Sequence, residues 1–216
     1  MRTLRVAVLA SGRGSNFEAI AKANLPLELV GLFSDKPRAR ALELARDHGI
    51  PAMALDAKKY TDRKMFDREF FARVADAKPD LLVLAGFMRV IDDAVIAKWH
   101  GRAINIHPSL LPKYPGLHTH QRALEARDTK HGASVHFVTA ELDGGPVIAH
   151  VELDIRDGDD AESLAERLLP LEHRLLVATI DAIARERIAL GDHGIVCDGA
   201  PLNRPLRLNA DGKLEV

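Results

Sequence analysis

The alternation of short apolar runs with segments of helical period constrains the fold of this chain more than any other feature. Leu4 to Ala10, Leu27 to Ser34, Met53 to Leu55 and Asp80 to Ala85 are apolar runs too short for buried helices and bounded by turn residues. Between them, apolar residues recur at helical spacing: Phe17, Ile20 and Ala21, then Ala41, Leu42 and Ala45, then Met65, Phe66, Phe70 and Val74. Gly49 and Pro51 stop the second of these helices. A further strand, Ala103 to Ile106, follows a short helix expected over Asp92 to Trp99. Strands separated by crossover helices pair in parallel, so the pattern predicts an α/β fold: a doubly wound, mostly parallel sheet with helices on both faces. In such sheets ligands bind beyond the carboxyl ends of the strands.

Those strand ends carry unusual residues. Leu4 to Ala10 runs into Ser11-Gly12-Arg13-Gly14-Ser15-Asn16, with Ser15 or Asn16 as the expected cap of the following helix. A glycine turn opening a helix presents backbone N–H groups at a positive helix end, which suits a phosphate monoester. A dinucleotide loop and a purely structural turn are the other readings. Gly12-x-Gly14 and Asp35 imitate the dinucleotide fingerprint, but Phe17 replaces its third glycine, and the Gly-Lys-Ser/Thr of a nucleotidase loop is missing. After Asp80 to Ala85 and Gly86, the run Phe87-Met88-Arg89-Val90-Ile91 places apolar groups at a ligand-bearing edge. Arg63 stands in the first turn of its helix, where a cation does not favour the dipole.

The stretch Ala103 to Pro112, Ala-Ile-Asn-Ile-His-Pro-Ser-Leu-Leu-Pro, is the most chemical of all. Asn105 and His107 alternate on one side of a strand that Pro108 ends, so an amide donor and an imidazole leave a rigid strand end together. Such a pair can polarise a carbonyl and move a proton. Farther on, Ala133 to Val138 and Val147 to Leu153 are strands joined by a turn at Gly144 and Gly145 that delivers Asp143. Asp159 to Ile188 has helical period, but Pro170 lies inside it and predicts a kink or a break, with Glu172 and His173 just beyond. Residues 191–216 read as a loose tail or small hairpin.

Composition narrows the function classes. Lys plus Arg number 30 against 31 Asp plus Glu, for a net charge of −1, which leaves no footprint for nucleic acid. The single Cys197 excludes an intramolecular disulfide and a cysteine-cluster zinc site. His118-x-His120 lacks the companions of a metal site, so no metal is expected. No stretch approaches the roughly 18 apolar residues of a membrane helix. The apolar run after Arg5 is too short for a signal peptide, so a cytoplasmic location and no membrane partner are expected. A serine hydrolase built on Ser109 is disfavoured because no Gly-x-Ser-x-Gly elbow exists.

With these residues in view, the chain resembles the folate-dependent phosphoribosylglycinamide formyltransferases. The resemblance lies in Ser11 to Asn16, Leu84 to Arg89, Asn105 to His118 with its Lys-Tyr-Pro-Gly, and Glu141-Leu142-Asp143-Gly144-Gly145-Pro146. It implies a Rossmann-like formyltransferase domain over 1–190, its amino-terminal half phosphate-binding and its carboxyl-terminal half folate-binding and catalytic, with 191–216 as an extension. The implied reaction moves the formyl group of 10-formyltetrahydrofolate to the amine of phosphoribosylglycinamide, in purine synthesis, without a metal. Carried over by position, Asn105, His107 and Asp143 are the catalytic set, and Gly14, Ser15, Asn16 and Glu172 hold the phosphoribosyl substrate. Arg63, Met88, Arg89, Val90, Ile91, Asn105, Ala140, Glu141, Leu142 and Asp143 meet the folate. Asp143 is expected to keep His107 protonated closer to neutrality. A monomer or homodimer is expected. Related folate-using transferases or hydrolases, including methionyl-tRNA formyltransferases, and a non-catalytic phosphosugar or folate sensor are the alternatives. The family's Tyr-Pro after Glu-His is replaced here by Arg174-Leu175-Leu176-Val177.

Overall fold

The computed structural model describes residues 3–216. The chain divides after Asn105 into two compact units. In the first, β1 (Leu4–Leu9), β2 (Leu27–Ser34), β3 (Ala52–Ala54), β4 (Leu81–Leu84) and the start of β5 (Ala103–His107) pair in parallel. Their order is β5-β4-β1-β2-β3, so the winding reverses next to β1. The intervening helices are α1 (Ser15–Lys22), α2 (Arg40–Asp47), α3 (Arg63–Asp76) and the single turn α4 (Asp93–Ile96). α1 packs on α2, and α3 on α4. Right-handed crossovers put the pairs on opposite faces, because the strands before and after the reversal advance in opposite directions. Val6, Val8, Leu32, Leu82 and Ile104 are fully buried, as expected of parallel strands covered on both sides.

The second unit contains the end of β5, α5 (Thr119–Glu125), β6 (Lys130–Phe137), β7 (Val147–Asp154) and α6 (Ala161–Ala184). β6 and β7 form an antiparallel pair with a register shift between Val135 and His136. α6 packs on both. The 24-residue α6 starts with a capping box between Asp160 and Ser163, and it continues through Pro170 without a break. Of the kink or break expected at Pro170, the break is absent for an energetic reason. Losing one helical bond to proline costs about 3 kcal/mol, whereas α6 buries Leu164, Leu168, Leu175, Leu176 and Ile180, each worth roughly 1.5 to 3 kcal/mol.

The tail contains the small hairpin that was one of its two readings, and further strands beside it. β8 (Ile188–Gly191), β9 (Gly194–Cys197) and β10 (Ala200–Pro201) form a small antiparallel sheet. β11 (Leu206–Leu208) then adds in parallel to β7 and pairs with β12 (Leu214–Glu215). Leu206 and Leu208 are buried by this addition, which is what holds the tail in place.

Candidate active site

In the first unit, the loops after β1 and β4 lie side by side at the reversal point. The Ser11 N–H donates to the Gly86 carbonyl at 3.0 Å, and the Ser11 hydroxyl donates to Asp35 at 2.6 Å while accepting from the Met88 N–H at 3.0 Å. Asp35 thus ties the two loops together through Ser11, a use the dinucleotide reading did not anticipate. The cap of α1 is Gly14, one residue earlier than expected, at φ 81° and with no side-chain bond to the first turn. A Cβ on Gly14 would stand 2.7 Å from Ala41 Cα, so only glycine lets α2 come this close. The first-turn N–H groups therefore have no side-chain cap, as an anion site requires. Asn16, 9% exposed, has its Oδ1 buried without a hydrogen-bond partner.

The loop after β4 splits its apolar residues. Phe87 and Ile91 are buried, whereas Met88 and Val90 are exposed. Phe87 stacks on Phe70 and Phe70 on Phe66, with ring centroids 5.4 and 5.3 Å apart, and the Arg89 guanidinium lies 4.3 Å over the Phe66 ring. Asp67, only 1% exposed, explains the odd placement of Arg63. Its carboxylate faces Arg63 at 3.8 Å and Arg89 at 3.9 Å and accepts the Asp92 N–H at 2.9 Å. Burial still pushes the Asp67 carboxyl above its ordinary range, against the pull of these partners.

In the second unit, His107 sits at the end of β5 and is 6% exposed. Its Nε2 lies 2.9 Å from the Tyr114 carbonyl, which can only accept, so Nε2 carries a proton. Its Nδ1 faces Asp143 Oδ2 at 3.4 Å. Asp143 adopts φ 50°, a left-handed conformation that aspartate tolerates, and Oδ2 also accepts the Gly116 N–H at 2.8 Å. Gly145 makes this turn possible, because a Cβ there would lie 1.8 Å from the Phe137 carbonyl oxygen. Burial would raise the Asp143 carboxyl, but His136, the Gly116 amide and the charge of His107 outweigh it and hold the group below the usual carboxylate range. Asp143 is therefore ionised at neutral pH.

His107 departs from expectation. Burial pushes its imidazole below the ordinary value, more than the Tyr114 carbonyl and the Asp143 charge raise it. Both ring nitrogens nevertheless face acceptors, an arrangement that only the imidazolium satisfies in full. The site holds a histidine whose cation is well placed but poorly solvated.

The sequence reading missed His136. It is 2% exposed, bonds through Nδ1 to the Phe137 carbonyl at 3.0 Å and places Nε2 3.6 Å from Asp143 Oδ1. Its position two residues from Ser134 on an alternating strand was the available signal. Ser134 itself accepts the Leu111 N–H and donates to the Ser109 carbonyl. The Ser109 hydroxyl is engaged with the Lys113 carbonyl at 2.6 Å, not with His107, which removes the serine-hydrolase arrangement. His120 meets His131 at 3.0 Å, and among the described residues no group of three or more side chains could hold a metal ion.

The formyl transferase family model matches residues 4–180. The chain is 42% identical to the phosphoribosylglycinamide formyltransferase of Escherichia coli K12, over 92% of this chain and 96% of that protein. The chain belongs to the formyl transferase family. The structure of the phosphoribosylglycinamide formyltransferase of Coxiella burnetii superposes with a TM-score of 0.89 at 39% identity, covering 93% of this chain and 96% of that one. A trifunctional purine biosynthetic protein of Drosophila melanogaster is 41% identical over 80% of this chain, which spans 13% of that longer protein. In this formyl transferase the Asp143 turn leaves Ala140, Glu141 and Leu142 exposed, and Glu172 is half-buried within α6. Among the described residues, no helix is long and apolar enough to cross a membrane.

Proposed function

We propose that this chain is a phosphoribosylglycinamide formyltransferase, moving a formyl group from 10-formyltetrahydrofolate to the substrate amine and leaving formylglycinamide ribonucleotide and tetrahydrofolate. The observation that carries the reading is that His107, two strand positions beyond Asn105, faces Asp143 on its left-handed turn, in a chain this similar to enzymes of that name. The amine attacks the formyl carbon, and negative charge grows on the formyl oxygen. Asn105 donates its amide to that oxygen, an interaction worth roughly 10² to 10³ in rate in comparable sites. His107 becomes easier to protonate as this charge appears, which offsets the burial that otherwise disfavours its cation. Ionised Asp143 accepts a proton from the attacking amine, directly or through water, and that proton passes to the departing folate nitrogen as the C–N bond breaks, which returns Asp143 to its ionised form. Acid-base help of this kind contributes about 10² to 10⁴.

Gly14, Ser15 and Asn16 would hold the ribose phosphate on the uncapped turn of α1, and Glu172 the ribose. Exposed Met88 and Val90 suit an aromatic ring, while Arg89 and Ile91 anchor their loop; Arg63 suits the folate carboxylates, and Asn105 and the turn of Ala140, Glu141, Leu142 and Asp143 the formyl-bearing end. All of these fall within residues 1–190, the segment to which the activity is assigned. We place the protein in the cytoplasm, acting on small molecules as a monomer or homodimer; its net charge of −1 offers no footprint for nucleic acid, and no membrane partner is assigned.

Mixing the protein with 10-formyltetrahydrofolate, with and without phosphoribosylglycinamide, tests this. Loss of the formyl-folate only with the amine present, matched by formylated product, is expected. Equal loss without the amine means a hydrolase, and no loss in either arm means a sensor; either result overturns the reading.

A further inference from the structure

The catalytic pair touches a short loop through that loop's backbone. The Tyr114 carbonyl meets His107 Nε2 at 2.9 Å, and the Gly116 N–H donates to Asp143 at 2.8 Å. Residues 114–116 therefore present an acceptor and a donor that fix the ring of one catalytic residue and the carboxylate of the other. Tyr114 does this at φ 55°, a left-handed conformation that a bulky residue adopts only when its surroundings enforce it. Released, its backbone would return to negative φ and swing the carbonyl away from His107.

What enforces it lies on the far side of the loop. Asp128 accepts from the Tyr114 hydroxyl at 2.8 Å and from Lys113 Nζ at 3.0 and 2.9 Å. Its own N–H donates to the carbonyl of Ala123, a fully buried residue of α5. Arg122, also on α5, donates to the Pro115 carbonyl at 2.6 Å and lies 5.2 Å over the Tyr114 ring. An exposed Lys-Asp pair alone contributes little to stability. Here three bonds converge on one carboxylate attached to a helix end, and they brace adjacent residues of a strained loop.

We propose that Asp128 is a positioning residue for formyl transfer: through Tyr114 and Lys113 it holds the loop backbone against His107 and Asp143, and so fixes the imidazole's orientation and tautomer. The inference rests on the reading that His107 and Asp143 carry the chemistry, and it adds a residue that meets neither reacting atom. Sub-ångström displacement of a catalytic group is the expected damage, so the loss should appear in kcat and not in substrate binding.

Asp128→Ala and Tyr114→Phe test this; the second deletes only the hydroxyl and keeps the fold measurable should the first fail to fold. Expected are a kcat lowered roughly ten- to a hundredfold with KM for both substrates within about twofold, and a nitrogen-15 signature of His107 that loses its single-tautomer pattern. Asp128→Asn, which keeps an acceptor for the hydroxyl, should recover part of the rate. Unchanged kcat and unchanged His107 signals in Tyr114→Phe overturn the proposal, as does a rate loss that follows only the unfolded fraction. Asp143→Asn run alongside keeps the two readings apart. If it retains full turnover, the assignment of the catalytic pair fails, while the His107 signals still report whether Asp128 sets the ring.

Discussion

At the scale of single residues, the site depends on positions where one side chain serves several partners. Asp143 joins His107, His136 and the Gly116 amide from a left-handed turn. Asparagine would keep the size but present an amide where two histidine nitrogens and a backbone N–H need acceptors. Asp143→Asn should therefore lower kcat by roughly 10² or more, as expected for loss of acid-base help, with donor KM changed by only a few fold; steady-state kinetics at neutral pH decide it. Gly14 is the counterpart in the loop proposed to hold the phosphate. An added methyl meets Ala41 at 2.7 Å and strains a backbone at φ 81°, so Gly14→Ala should cost more than the ~1 kcal/mol of an ordinary glycine-to-alanine misfit. It should also weaken inorganic phosphate binding by calorimetry, because separating α1 from α2 tilts the N–H groups. Wild-type phosphate affinity would show that this turn holds no phosphate.

At the scale of elements, the sequence was legible wherever one period dominated. The runs of β1, β2 and β4 and the stripes of α1 and α2 announced a wound parallel sheet because propensity and burial agreed. Pro170 marks where they did not agree: local chemistry predicted a kink or a break, and the buried leucines on either side kept α6 from breaking. In the tail, β8 and β9 form a hairpin around a local glycine turn, whereas β11 is a strand because the edge of β7 accepts it, a pairing no local signal encodes. Asn105 and His107 stood out in the sequence because they alternate on one side of β5 near its end, whereas Asp143, by itself a turn residue, joined them through the resemblance. His136, Asp67 and Asp128 did not, because their importance lies in which distant residue each one meets. One consequence is measurable. Pro170→Ala restores an N–H to an otherwise continuous helix, so it should stabilise the protein by about 1 to 2 kcal/mol, less than the full proline penalty because the unfolded chain also gains freedom. A melting temperature below that of the parent would mean that the proline ring fills a packing gap that alanine leaves empty.

At the scale of the whole molecule, buried histidines make acid the condition to which this chain is most vulnerable. Burial drives His131 from its ordinary value down to about 4, with nearby His120 acting in the same direction, and it lowers His107, His120 and His150 as well. A depressed histidine binds its proton more readily in the unfolded chain, so its neutral form supports the fold above pH 6.5 and that support is lost as pH falls toward the folded value. For His131 alone the linkage is worth about 3 kcal/mol between pH 6.5 and 4, a large part of the 5 to 15 kcal/mol that holds a typical domain together. Asp143, held below the carboxylate range, loses its contribution only at still lower pH, so it extends the same slope. Urea midpoints measured from pH 8 to pH 4 should fall steeply below pH 6.5. His131→Gln, which cannot charge, should flatten that fall while lowering the midpoint at pH 8, where it loses the bond to His120. A parent protein equally stable at pH 7 and pH 4.5 would mean that these imidazoles reach water in the folded state, and the buried environment assigned to His107 would then need revision along with that of His131.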